Sequence, residues 1–178
     1  MSTFSYQVLK DTNQKAVIKL TAQFTDGVPE SNTFRIQANT LYGALDSNRT
    51  NLLTTPGNSG PLSYYGLEVT KLWYDVNMWN SNGKGHVDLY WYGRGGGSNN
   101  AVIFSASDIG NFDEHGSYAN IKNNAINPTG DIGVSTIGQQ ANCSYTIVIE
   151  LRKDNHDYSR GQLEDPAAFN YGDYSITP

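Results

Sequence analysis

The sequence predicts an all-β protein: an antiparallel β-sandwich, jelly-roll-like, with an extended C-terminal arm. Three observations carry that expectation. Apolar residues recur with a period of two along much of the chain, the mark of strands with one buried face. No window of a dozen residues shows the i, i+3, i+4, i+7 stripe of an amphipathic helix. Charged residues make up only 16% of the 178, while Gly numbers 18 and Tyr 12, a neutral polar and aromatic balance that suits pleated surfaces.

Taken in order, residues 3–10 form the first strand-like run. In KAVIKLTAQF the even positions Ala16, Ile18, Leu20, Ala22 and Phe24 make one apolar face, and TFRIQA repeats the pattern with Phe34, Ile36 and Ala38. NTLYGALD, at 39–46, suits one or two helical turns with Asn39 as the cap. The connection SNRTNLLTTPGNSGP, at 47–61, breaks the strand spacing, and loops of that length tend to bind or move. In GLEVTKLWYDVNM the apolar phase flips, from Leu67 and Val69 to Leu72, Val76 and Met78. A one-residue slip of that kind places a β-bulge near Thr70 or Lys71. HVDLYWY turns Val87, Leu89 and Trp91 to one face. Shorter runs follow near 101–107, 117–122 and 131–137. CSYTIVIELRK then sets Tyr145, Ile147, Ile149 and Leu151 against Thr146, Glu150 and Arg152. Alternation stops after Leu151, which divides the chain into a sandwich over residues 1–153 and an arm over 154–178.

The run GRGGGSNN, at 93–100, raises the possibility of a phosphate loop. Such a loop needs a glycine turn opening into a helix, whose N-terminus faces the anion. Here AVIFSAS follows, which is a strand, and no Gly-Lys-Ser/Thr ending is present. Gly and Asn tolerate positive φ, so the stretch is expected to be a hairpin turn.

Charge and motif content narrow the function. The net charge is −5 and the pI about 5.0, which opposes a nucleic-acid partner because that affinity rests on a cationic surface. No segment approaches the length of an apolar membrane span, so no membrane is expected as a partner. Residues 1–24 hold no apolar stretch with a basic flank, so no signal peptide is expected either. Cys143 is the single cysteine and cannot form an intrachain disulfide, consistent with folding in a reducing cytoplasm. The three histidines, His86, His115 and His156, lack metal-ligand spacing. DNHDYSRGQLED superficially resembles a calcium loop through Asp154 and Asp157, but it lacks the alternating acids and central glycine; a solvated turn is favoured, with calcium binding as the alternative. Paired carboxylates for glycoside hydrolysis cannot be assigned, since their separation is a tertiary property. No catalytic residue, cofactor site or metal site is assigned, and the chain is read as non-enzymatic.

The aromatics carry the remaining signal. Tyr64, Tyr65, Tyr74, Trp79, Tyr90 and Tyr92 cluster in the middle third. Alternation sends Trp91 to the core. Tyr64, Tyr65 and Trp79 adjoin loop residues and are candidates for a protein interface, where Tyr and Trp are enriched. Phe169, Tyr171 and Tyr174 of the arm join them, because a purely solvated tail has little reason to carry aromatics. The alternative is a carbohydrate-binding sandwich, with the aromatics and the 47–61 loop as its platform.

The C-terminal half, NPTGDIGVSTIG and then YTIVIELRKDNHDYSRGQLEDPAAFNYGDYSITP, resembles small virion structural proteins of tailed bacteriophages, above all contractile-tailed phages of marine cyanobacteria. The likeness is carried by Asn127, Pro128, Thr129, Gly130 and Asp131, and by Lys153, Gly161, Asp165, Pro166, Ala167, Phe169, Asn170, Gly172, Tyr174 and Pro178. It is looser in the N-terminal half, mainly RIQANTLYGAL. The resemblance implies a particle component made in the host cytoplasm, without fixing its position on the particle; an acidic sandwich with an extended arm suits a capsid decoration or cement protein on the head surface. Its partners would be other virion proteins, the major capsid protein first among them, and a homotrimer is one form it allows. A receptor-binding or tail attachment component is the alternative.

Overall fold

The structure, a computed structural model, describes residues 2–31, 33–50, 52–53, 64–81, 83–112 and 121–159. Twelve strands occur among them: β1 (Thr3–Asp11), β2 (Lys15–Gln23), β3 (Thr33–Ile36), β4 (Leu67–Asn77), β5 (Trp79–Asn80), β6 (Gly83–Lys84), β7 (His86–Gly93), β8 (Ala101–Ala106), β9 (Asp108–Phe112), β10 (Ile121–Lys122), β11 (Pro128–Ile137) and β12 (Ser144–Lys153). All their pairings are antiparallel. One sheet runs β1-β2-β12-β4, with β9 and β10 sharing the far edge of β4, and the other runs β3-β11-β7-β8. β5 and β6 form a small separate hairpin.

The connectivity is that of a jelly roll. Leaving out β1 and the short β5, β6 and β10, the first remaining strand (β2) pairs with the last (β12), and the second (β3) with the last but one (β11). β4 then lies between β12 and β9, and β7 between β11 and β8. That order is a chain folded as two Greek keys into two four-stranded sheets.

The apolar faces read from the sequence meet between the sheets. Ala16, Ile18, Leu20 and Ala22 of β2, and Tyr145, Ile147, Ile149 and Leu151 of β12, pack in one cluster with Ile36, Val87, Leu89, Trp91, Ile132 and Val134. Burying each large side chain contributes about 1.5–3 kcal/mol. The phase flip in β4 is a bulge at Thr70: Lys71 pairs with Glu150 and Val69 with Leu151, and Thr70 is skipped. The 93–100 stretch is the β7–β8 hairpin. Gly95, Gly96 and Gly97 all take positive φ (93°, 67° and 56°) there, and a 3-10 turn covers Gly97–Asn99.

Other expectations are modified. The stretch 39–46 holds a single 3-10 turn, Ala38–Thr40, entered from Gln37, so Asn39 lies inside the turn and does not cap it. Backbone partners elsewhere replace helical ones: Leu45 N–H donates to Asp157 O, Leu53 N–H to Ala44 O, and Ser159 N–H to Gly43 O. Since each buried backbone group needs one partner, a helix there has nothing left to add. Of the 117–122 run, Ile121–Lys122 is strand and 113–120 lies outside the described residues. β9 and the β5–β6 hairpin were not expected, being too short to show alternation.

The chain does not leave the sandwich after Lys153. Tyr158 is fully buried, packs 5.4 Å from the Tyr65 ring, and donates its hydroxyl to Ala38 O at 2.9 Å. Asp157 and Ser159 are buried with it. Residues 154–159 therefore close one end of the core, and the sandwich extends at least to Ser159. Residues 160–178, with Phe169, Tyr171 and Tyr174, lie outside the described residues.

Candidate functional site

Titratable groups come together on the outer face of the second sheet, where Asp88 lies opposite Ser105. Ser105 Oγ donates to Asp88, and His86 Nε2 stands 3.6 Å from the same carboxylate. A hydrolytic triad places the histidine between serine and carboxylate, as base for the hydroxyl. Here the carboxylate is central and the serine hydroxyl is spent on it, so the hydroxyl has no histidine base among the described residues.

Asp154 and Asp157, the described carboxylates of the calcium-like stretch, are committed to the backbone and to one arginine. Asp157 Oδ2 accepts from Gly66 N–H at 2.8 Å, and its Oδ1 from Arg49 Nε at 2.9 Å. Asp154 Oδ1 accepts from His156 N–H at 2.9 Å. These bonds join the 154–159 turn to the start of β4.

The candidate aromatics separate. Tyr65 is a core residue, not an interface one: it is buried, and its hydroxyl donates to Leu45 O at 2.7 Å. Adjacent residues of an extended segment face opposite ways, so Tyr64 points outward, where it is half-buried. Trp79 is 46% exposed, held at its backbone by Cys143. Tyr74 and Tyr90 have another job. Each covers a glycine of the neighbouring strand, Tyr74 over Gly110 and Tyr90 over Gly133, where an added Cβ would come within 2.3 Å of the phenol. Burial pushes the Tyr90 phenol up to about 12.

Two surfaces stand out among the described residues. The first is β1. It is exposed from Thr3 to Lys10 and, among the described residues, pairs only with β2. The register sets Phe4, Tyr6 and Val8 opposite Ala22, Leu20 and Ile18, so all three lie on the core-side face, yet each is 41–44% exposed. Leu9 sits at a register shift between Val8 and Lys10 and is exposed as well. Both ends of the strand are anchored. The Phe4 ring meets Phe24 edge-on at 5.8 Å and carries the Arg35 guanidinium 4.2 Å above it. Arg35 pairs with buried Glu30, which also accepts from the Tyr145 hydroxyl at 2.8 Å. At the far end Asp11 pairs with Lys153 and accepts from Tyr42 N–H at 2.8 Å. Lys153 Nζ is fully buried and also donates to the carbonyls of Thr12 and Tyr42, each at 2.7 Å. Its desolvation pushes the amine below its ordinary range, against the pull of Asp11. The apolar strip is thus held in place before any partner arrives.

The second is a groove of about 730 Å³ on the outer face of the first sheet. Its floor is a ladder of charges from four strands. Arg152 of β12 stands opposite both Lys15 of β2 and Glu68 of β4. Arg152 pairs with Glu68, Lys122 of β10 lies 3.9 Å from the same carboxylate, and Lys15 pairs with Glu150 at 3.2 Å. The bulge turns the Thr70 hydroxyl toward Glu150, to which it donates at 3.1 Å. Tyr64, Gln14, Asn123 and Asn155 complete the walls. Sequence reasoning named Tyr64 alone of this set, because the others are ordinary surface polar residues until the sheet aligns them.

Among the described residues, no helix is long and apolar enough to cross a membrane. No family model matches the chain, and no curated protein or solved structure matches it.

Proposed function

We propose that this chain is a non-enzymatic virion structural protein, a decoration or cement protein that binds the head surface of a tailed phage through β1. Jelly rolls serve in viral capsids and in lectins alike, so topology by itself does not choose between them. The observation that carries the reading is the exposed apolar strip of Phe4, Tyr6 and Val8 beside a strand edge that has no partner among the described residues. A rigid strand with one open edge and an apolar face offers both strand addition and side-chain contact to a protein partner. The resemblance of the C-terminal half to phage virion proteins makes that partner another virion protein, and a role on the head surface makes it the major capsid protein. The negative net charge keeps the free subunit soluble before it assembles.

The test is incorporation. Particles purified from a host supplying the wild-type chain carry it, whereas particles assembled with the Tyr6→Lys, Val8→Asp variant lack it, although the variant remains folded by circular dichroism. Recovery of the variant on particles at the wild-type level, or absence of the wild-type chain from them, overturns the proposal.

A further inference from the structure

The groove on the outer face of the first sheet has chemistry that the assembly role does not use. Its cationic groups are Lys15, Lys122 and Arg152, and its anionic groups are Glu68, Glu150 and Asp154. Lys153 also borders it, but its charge is spent on Asp11. Cations and anions balance, and most are paired with each other. The described lining therefore offers a phosphate, a metal ion or a polyanion no net charge. What the walls offer instead is a dense set of planar donors and acceptors: the amides of Gln14, Asn123 and Asn155, the Glu68 and Glu150 carboxylates, and the Arg152 guanidinium.

Groups held in pairs are already oriented, and each carboxylate oxygen keeps a lone pair after accepting one bond. Arg152 with Glu68 thus presents a fixed donor beside a fixed acceptor, the pattern two adjacent hydroxyls match. Tyr64 adds a half-buried ring at the wall. Burial and the charges of Asp157, Asp154 and Glu68 push its phenol above the ordinary range, so it stays a donor at any physiological pH. A flat apolar face beside clustered neutral-balanced donors and acceptors suits a ligand with a C–H face and many hydroxyls.

We propose that this groove binds a neutral oligosaccharide, with Tyr64 stacking on one pyranose ring and Glu68 and Arg152 hydrogen-bonding its hydroxyls. The site goes beyond the assembly role and lies apart from the apolar strip: a subunit fixed by β1 can still present it. Its volume falls within the range of small-molecule sites, enough for a short stretch of a glycan chain.

The experiment is a titration of the full chain, followed by amide NMR, with maltohexaose, cellohexaose and N-acetylchitohexaose, and with heparin as the acidic comparison. At least one neutral sugar should shift the amides of Gly66, Leu67, Asn123 and Arg152. Tyr64→Ala should weaken that binding about tenfold or more. Tyr64→Phe, which keeps the ring, should retain most of it, and Tyr6→Lys should leave it unchanged. No shift at these amides with any neutral sugar overturns the proposal, as does binding of heparin alone or binding that Tyr64→Ala leaves intact. Because the Tyr6 variant separates the two surfaces, loss of particle incorporation and loss of sugar binding can be told apart.

Discussion

β1 and β2 are neighbours in one hairpin with the same alternating pattern, and they meet opposite fates. Tyr6 and Leu20 stand directly across from each other on the core-side face, yet Tyr6 is 43% exposed and Leu20 1%. The cause lies in the other sheet. Among the described residues, the first sheet is five strands wide, with β9 and β10 sharing one position, whereas the second has four. Four strands cannot cover five, and β1 is the one left without a lid. An alternating apolar pattern therefore encodes a face, and coverage from a separate layer decides whether that face becomes core or contact surface.

Substituting the paired residues gives the largest expected contrast. Leu20→Ala should cost about 3 kcal/mol or more, the transfer loss plus a cavity. Tyr6→Ala, across the hairpin, should cost under about 1 kcal/mol. Urea denaturation midpoints read both, and equal losses would mean that β1 is covered after all.

Next come two lysines at the same end of the molecule. Lys153 is sealed in with Asp11 and two carbonyls, whereas Lys10 is exposed. Lys153→Met strips a donor from all three acceptors and should cost about 2–3 kcal/mol. Lys10→Met should change stability by no more than about 0.5 kcal/mol. A similar small effect at both positions would contradict the burial of the amine.

Coverage can also come from a single side chain, as with Tyr90 over Gly133. Gly133→Ala forces a Cβ to within 2.3 Å of the Tyr90 phenol and should cost about 1–3 kcal/mol through overpacking. A double-mutant cycle with Tyr90→Ala should recover much of that loss. Additive costs would show that the ring is not what the methyl meets.

The smallest effect compares two tyrosines by pH. Tyr90 titrates at about 12 in the fold, against an ordinary 10.0. Between those values the unfolded chain has lost a proton that the folded chain keeps, so stability falls as pH rises across the interval and is fully present below pH 10. Tyr90→Phe should remove roughly 1 kcal/mol of the loss seen at about pH 11. Tyr6 is also pushed upward, by burial and by Asp11, but its greater exposure should make Tyr6→Phe flatten the curve less. Denaturation midpoints between neutral and alkaline pH decide it.

Most of the fold was legible because its main strands are long enough to alternate. The bulge at Thr70 was legible too, since a one-residue slip leaves a trace in the apolar phase. β9 and the β5–β6 hairpin left none, being held by pairing with neighbours and not by their own pattern. The closing turn at 154–159 was missed because Tyr158 plugs an end of the core without alternating partners beside it. Of the candidate site, Tyr64 was legible as an aromatic next to a loop, but its split from Tyr65 was not. One ring goes to Leu45 O and the other to the groove, a choice made by the packing around 154–159.

What the sequence determined by itself is local: which segments extend, which face of each is apolar, where glycines turn the chain, and where one strand slips by a residue. Those follow from periods of two and from backbone sterics, which act over a few neighbours. Only the tertiary structure decided that β1 lies beyond the reach of the second sheet, and that Lys15, Glu68, Lys122, Glu150 and Arg152 form one ladder. Both outcomes depend on how many strands each sheet contains and on the register between segments far apart in the chain. That information appears only when the layers pack.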